Sequence, residues 1–270
     1  MRSDVDGCVT EFEVTGAGRP VVLLHGFPDS GNLWRHQVPV LSVAGYQLIV
    51  PDLRGYGHSA KPADVDAYGL LQIAGDVIAI LDVLGIERAH VVGHDWGAAL
   101  SWLLAALRPE RVDHLVALSV GHPAAFAQAG LPQREKSWYM LLFQFAGIAE
   151  QWLSDNDWAN FRAWSQHPDA DAAIAELTAG DSLTPALNWY RANVPPESLV
   201  APRLVLPPVQ SPTMGVWSDG DLFLTEAQMI GSQEYVAGSW RYERLSGPGH
   251  WMQLEAREEV SRLLADFLPA

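Results

Sequence analysis

The pentapeptide Gly93-His94-Asp95-Trp96-Gly97 constrains this chain more than any other stretch. The apolar run Ala89-His90-Val91-Val92 leads into it, and Ala98-Ala99-Leu100-Ser101-Trp102-Leu103-Leu104 follows. A short buried strand must therefore turn sharply into a helix, the frame of an elbow that presents its tip residue. The tip residue here is a carboxylate, where a hydroxyl is the usual occupant. A serine attacking a saturated carbon would form an ether, which water does not readily remove. A carboxylate forms an ester instead, and an activated water can hydrolyse it. Asp95 thus directs the expected chemistry away from acyl transfer and toward displacement at an sp3 carbon.

The rest of the chain supplies a sheet for that elbow. Val21-Val22-Leu23-Leu24 reads as a buried strand ending at His25-Gly26, and Tyr46-Gln47-Leu48-Ile49-Val50 as a second, ending in Pro51-Asp52. Leu70, Ile73, Val77, Ile80, Leu81 and Leu84 recur at helical spacing, and Gly85 ends the run. Val112 to Ser119 follows the elbow helix as a fourth strand. Short apolar strands alternating with helices predict an α/β fold, a mostly parallel sheet with helices on both faces. From Gly121 to Pro208 the pattern changes to aromatic-rich helical sequence with no convincing buried strand. Pro195 to Pro212 is proline-rich and reads as a linker. Thr213-Met214-Gly215-Val216-Trp217 resumes the sheet, followed by Arg241 to Leu245 and a closing helix, Glu258 to Phe267. The expected organisation is a core over residues 1–121, a helical insertion over 122–209, and the rest of the core over 210–270.

Composition narrows the partners. The formal charge of −15 disfavours nucleic acid and anionic membrane surfaces. Cys8 is the single cysteine, so neither an intrachain disulfide nor a cysteine-based metal cluster is available. The opening Met1-Arg2-Ser3-Asp4-Val5-Asp6-Gly7 has no hydrophobic targeting core. No stretch approaches the roughly 20 apolar residues that span a bilayer. A cytoplasmic location is the resulting expectation. There is no phosphate-cradling glycine loop, and His36, His58, His90, His114, His122 and His167 show no metal-ligand spacing. Neither a cofactor nor a metal is expected, and the oligomeric state stays open between monomer and homodimer.

Ligands of such sheets bind beyond the carboxyl ends of the strands. Besides Asp95, two candidate groups fall at such ends: a carboxylate in Ser218-Asp219-Gly220-Asp221, and His250 in the turn Gly247-Pro248-Gly249-His250-Trp251. Asp95 is assigned the attack on carbon. His250 is assigned the removal of a proton from the water that cleaves the ester, and the second carboxylate the orientation of the imidazole. The tetrahedral intermediate carries an oxyanion, which needs preorganised donors. The backbone N–H groups of Trp96 and Phe27 are the candidates, the latter in a loop stiffened by Pro28. His25 and His94 are expected to order backbone, and Asp52 and Arg54 to brace a loop.

His25-Gly26-Phe27-Pro28-Asp29, Asp52-Leu53-Arg54-Gly55-Tyr56-Gly57-His58-Ser59 and Gly93-His94-Asp95-Trp96-Gly97 together resemble the epoxide hydrolases of the α/β-hydrolase superfamily. The resemblance runs from about Pro20 to the C-terminus. It implies the α/β-hydrolase fold with an inserted helical cap, a small apolar epoxide as substrate and a vicinal diol as product. The chain order of nucleophile, acid and base agrees with that superfamily. Its strand-Gly-x-x-Asp pattern selects Asp221 over Asp219, with Ser218 replacing the customary glycine. The acid of some relatives follows the earlier strand, but Ser119-Val120-Gly121-His122-Pro123 offers no carboxylate there.

Two further residues follow from the resemblance. Asn188-Trp189-Tyr190-Arg191 is similar to the cap motif whose tyrosine binds the epoxide oxygen, and Tyr139 resembles its partner tyrosine. The chemistry agrees with the pairing: a departing alkoxide needs acidic donors, and phenols with an ordinary pKa of about 10 supply them. The same elbow occurs in haloalkane dehalogenases. The two cap tyrosines weigh against that reading, as does Phe27, where many dehalogenases carry an asparagine for the halide. A non-catalytic ligand-binding member of the fold is the remaining alternative, which a damaged triad would favour; here all three members are present.

Overall fold

Strands covered on both faces read as near-continuous apolar runs, and most residues of the central strands of this chain are apolar. The computed structural model describes residues 1–200 and 205–270. Val21, Val22, Leu23 and Leu24 are all buried, as are all six residues of Ala89–His94 and of Thr213–Ser218. Eight strands form one sheet: β1 (Arg2–Val5), β2 (Cys8–Gly16), β3 (Arg19–Leu24), β4 (Tyr46–Pro51), β5 (Ala89–His94), β6 (Val112–Leu118), β7 (Thr213–Ser218) and β8 (Trp240–Leu245). Their order is β1-β2-β4-β3-β5-β6-β7-β8, parallel from β4 to β8 and antiparallel at β1 and β2.

Two pairs of helices accompany the sheet among the described residues. One pair is α1 (Gln37–Val43) with α12 (Arg257–Phe267), the other α2 (Leu70–Val83) with α3 (Trp96–Leu107). The strand-helix alternation thus yields the expected mostly parallel α/β architecture. The structure adds the N-terminal hairpin β1–β2, which the sequence reading did not identify. Between β6 and β7 run α4 (Pro123–Gln128), α5 (Gly130–Lys136), α6 (Tyr139–Leu142), α7 (Ile148–Ser165), α8 (Ala170–Thr178) and α9 (Leu183–Asn193), with no strand among the described residues. Of the linker expected over Pro195 to Pro212, residues 201–204 lie outside the described residues. Two short helices, α10 (Glu226–Gly231) and α11 (Met252–Glu255), complete the second part of the core. No helix is long and apolar enough to cross a membrane among the described residues.

The helices between β6 and β7 share one hydrophobic core with the sheet, through Tyr139, Phe143, Leu153, Phe161 and Trp189. Helix α9 is anchored by polar contacts as well. The Trp189 indole donates to the Arg54 carbonyl at 2.8 Å, and the Asn193 amide donates to the Tyr68 carbonyl at 2.9 Å. Arg54 is itself fixed by two bonds to the buried Asp76 carboxylate, at 2.9 and 2.7 Å. Asp52 accepts backbone N–H bonds from Gly31 and His58, both at 3.0 Å. These two residues brace the loop on which α9 rests.

Candidate active site

The elbow fixes the position of Asp95 through its backbone. Asp95 has φ 52° and ψ −121°, a left-handed conformation that a residue with a Cβ adopts only under constraint. The constraint is the close packing of α3 on the sheet. Any side chain at Gly97 would strike the carbonyls of Leu24 and His25. Asp95 therefore stands at the start of α3, beyond the carboxyl end of β5. The Phe27 N–H donates to its Oδ1 at 2.8 Å. A Cβ on Gly26 would collide with the Asp95 carboxylate and lie 2.7 Å from the Trp96 nitrogen, so the loop after β3 approaches the elbow as closely as backbone can.

His250 reaches the same point from the loop after β8. Its Nδ1 lies 2.9 Å from Asp221 Oδ2, and its Nε2 lies 3.6 Å from Asp95 Oδ2. Asp221, at the end of β7, is held in turn by the Phe223 and Leu224 N–H groups, at 2.8 and 3.0 Å from Oδ1. Asp219 instead caps the exposed turn at Ser246 and Gly247. The imidazole is buried, and burial alone would lower its pKa. The Asp221 and then the Asp95 carboxylates overcome that penalty and push it up to about 10. Burial would raise Asp221, but the His250 charge and the two N–H donors hold it below the usual carboxylate range.

The His250 loop is pinned from behind. The His94 Nε2–H and the Ser119 hydroxyl both donate to the His250 carbonyl, at 3.0 and 3.1 Å, and the Ser218 hydroxyl donates to the Gly249 carbonyl at 2.6 Å. Burial, reinforced by the neighbouring His250, lowers His94 to about 4, which keeps it neutral. His25 accepts the Leu53 N–H on Nε2 at 2.9 Å. Both histidines therefore order backbone.

Tyr139 and Tyr190 come from α6 and α9 and are both buried, with ring centroids 6.0 Å apart. Together with Phe27, Asp95, Trp164, Phe223, His250 and Trp251 they line a narrow pocket, with ≈ 10 Å³ open to the centre of a water-sized sphere. That is about the room one water needs. Burial first, and the Asp95 charge second, raise both phenols well above their ordinary range, so both hydroxyls stay protonated. Four of the five side chains that the sequence singled out, Asp95, His250, Tyr139 and Tyr190, thus line one cavity, and the fifth, Asp221, stands behind His250 on its Nδ1.

Some participants went unassigned in the sequence. Asp29 is buried between Trp251, whose indole donates to Oδ2 at 3.0 Å, and His167, whose Nε2 lies 3.1 Å from Oδ1. His167 lies between α7 and α8, so this contact joins the inserted helices to the residue next to His250. Asp29 closes the motif His25-Gly26-Phe27-Pro28-Asp29, and that position was its only signal. Trp164 and Phe223 line the pocket without any motif to mark them.

Comparison with known proteins bears on this geometry. The family described as alpha/beta hydrolase fold matches residues 19–257. Epoxide hydrolase A of Mycobacterium tuberculosis is 31% identical, over 98% of this chain and 96% of its own length. An epoxide hydrolase of Caballeronia sordidicola is 33% identical, over 99% of this chain and 96% of its own. Among solved structures, a Bacillus megaterium epoxide hydrolase in complex with an inhibitor superposes with a TM-score of 0.88, at 26% identity over 99% of both chains.

Proposed function

The chain belongs to the epoxide hydrolase family of the α/β-hydrolase superfamily, and on that premise we propose that its epoxide hydrolysis runs through an ester on Asp95. The observation that carries this reading is the convergence of Asp95, His250 and two buried phenols on one pocket, with Asp221 bonded to the far nitrogen of His250. Asp95 Oδ1 is engaged by the Phe27 N–H, which leaves Oδ2 to attack an epoxide carbon. As the new C–O bond forms, the ring C–O bond breaks, and Tyr139 or Tyr190 protonates the departing oxygen. The resulting tyrosinate is a strong base and recovers a proton from the His250 imidazolium.

Ester formation removes the Asp95 charge, one of the two charges that raise His250. The imidazole thereby becomes a base in the second step. It takes a proton from water, and the hydroxide attacks the Asp95 carboxyl carbon. Oδ1 becomes the oxyanion, held by the Phe27 N–H with the Trp96 N–H beside it. Collapse expels the diol oxygen, which takes the proton from His250. The remaining carboxylic acid returns its proton to the imidazole, restoring the starting charges.

In this reading the helices over residues 122–209 act as a cap that supplies the two phenols. The substrate is a small apolar epoxide, matched to the aromatic lining. The halide reading places the same Asp95 under indole N–H donors; what favours oxygen is the pair of buried hydroxyls. Purified protein should convert styrene oxide to its diol and release no bromide from bromoalkanes. The reverse outcome would overturn the assignment. Changing both Tyr139→Phe and Tyr190→Phe should cost roughly 10²–10⁴-fold or more in epoxide opening. Full activity in that double variant would reduce the two rings to packing.

A further inference from the structure

Away from the active site, the pairing of β5 with β6 contains an irregularity. The register runs Ala89↔Val112 and then Val91↔Leu115, so Asp113 and His114 together stand opposite His90. Two residues against one is a β-bulge, which re-aims side chains that a regular ladder would keep apart. The bulge gathers His90, Asp113 and His114, whose candidate ligand atoms all lie within 4.8 Å of one another. His90 is near the start of β5, about 16 Å along the strand from Asp95 at ~3.3 Å per residue.

The protonation pattern of His90 makes this cluster unusual. Its side chain is only 1% exposed. Its Nε2 lies 3.0 Å from the Pro269 carbonyl, which can only accept, so the ring proton sits on Nε2. Nδ1 therefore carries a bare lone pair, and among the described residues that buried atom has no hydrogen-bond partner. It faces Asp113 Oδ2 at 3.7 Å, an acceptor aimed at an acceptor. The buried Nδ1 of His114 is also unpartnered, 3.9 Å from Asp113 Oδ1.

We propose that His90, Asp113 and His114 form a binding site for one divalent transition-metal ion of the Zn²⁺ type. Two imidazoles and a carboxylate are the donors such ions select over Ca²⁺ or Mg²⁺. The bond from His90 to the Pro269 carbonyl is the outer contact that fixes the tautomer of a metal-binding histidine. Donors around a tetrahedral Zn²⁺ with bonds of 2.0–2.1 Å lie about 3.4 Å apart. The cluster is slightly wider than that, and the partly exposed Asp113 and His114 can close the difference by rotating. Arg19 and Arg88 compete for Asp113 from 3.8 Å each, but both are at least half exposed and can turn outward. A bound ion would tie β5 and β6 to the C-terminal segment through Pro269.

The spacing of His90 and His114 in the sequence conceals this site, because the bulge between neighbouring strands creates it. The test is calorimetric titration of ZnCl₂ into the full-length protein after EDTA treatment and dialysis, for the native chain, His114→Gln and Asp113→Asn. The native protein should bind one Zn²⁺ per chain and gain thermal stability with it. Each variant should bind at least about tenfold more weakly, since loss of even an outer contact costs that much. Binding of equal strength in all three proteins, as at scattered surface histidines, would overturn the proposal. Absence of Zn²⁺ binding by the native protein would do the same.

Discussion

Asp221 and Asp219 are two residues apart and have opposite surroundings. Asp221 is buried against the His250 ring, while Asp219 is fully engaged in an exposed turn. In the proposed mechanism only Asp221 fixes the imidazole, so Asp221→Asn should lower kcat by about 10³–10⁴-fold, as loss of the orienting carboxylate does in other triads. Steady-state kinetics with folding checked by circular dichroism would measure it, and a loss under tenfold would remove Asp221 from that role. The charge pattern also sets a pH dependence. His250 is held at about 10 in the free protein by two carboxylates, and esterification neutralises one of them. The base that limits ester hydrolysis should therefore titrate below about 10, with kcat rising as pH increases through that lower value. A kcat profile that titrates at or above 10 would contradict the assignment.

At the scale of elements, the site depends on the loop after β3 lying against the start of α3. Gly26 permits that approach, because any Cβ there would meet the Asp95 carboxylate and the Trp96 nitrogen. Gly26→Ala must push the loop back and displace the Phe27 N–H from Asp95. Kcat/KM should fall by about 10²-fold, the effect of an ångström-scale misplacement, in a protein that still folds. Unaltered kinetics in this variant would show that the Phe27 donor is dispensable. The inserted helices contribute through specific anchors. Trp189 on α9 bonds the Arg54 carbonyl, and His167 bonds Asp29 beneath Trp251. These contacts set where Tyr190 and Tyr139 stand relative to Asp95.

Across the whole molecule, the sequence was most legible where burial leaves one option. Val21–Leu24, Tyr46–Val50 and Thr213–Trp217 are apolar runs bounded by turns, and each forms a strand at the expected place. The hairpin β1–β2 escaped notice because one face of it is open to solvent and a buried position on β2 is held by Thr10. Asp95 and His250 could be read from their turns, since their geometry is local. The roles proposed for Asp221 and the two tyrosines rest on a family pattern, because nothing in Tyr139 or Tyr190 itself distinguishes a proton donor from a packed ring. Asp29, His167 and the cluster at His90 arise from contacts between distant segments, which no local pattern encodes. The central claim is the covalent ester, and His250→Gln tests it most directly, because that variant keeps the nucleophile and loses the base. Intact-mass analysis of this variant after incubation with styrene oxide should show an adduct of one substrate mass, mapping to Asp95 after proteolysis. Turnover at the native rate with no adduct would contradict the account.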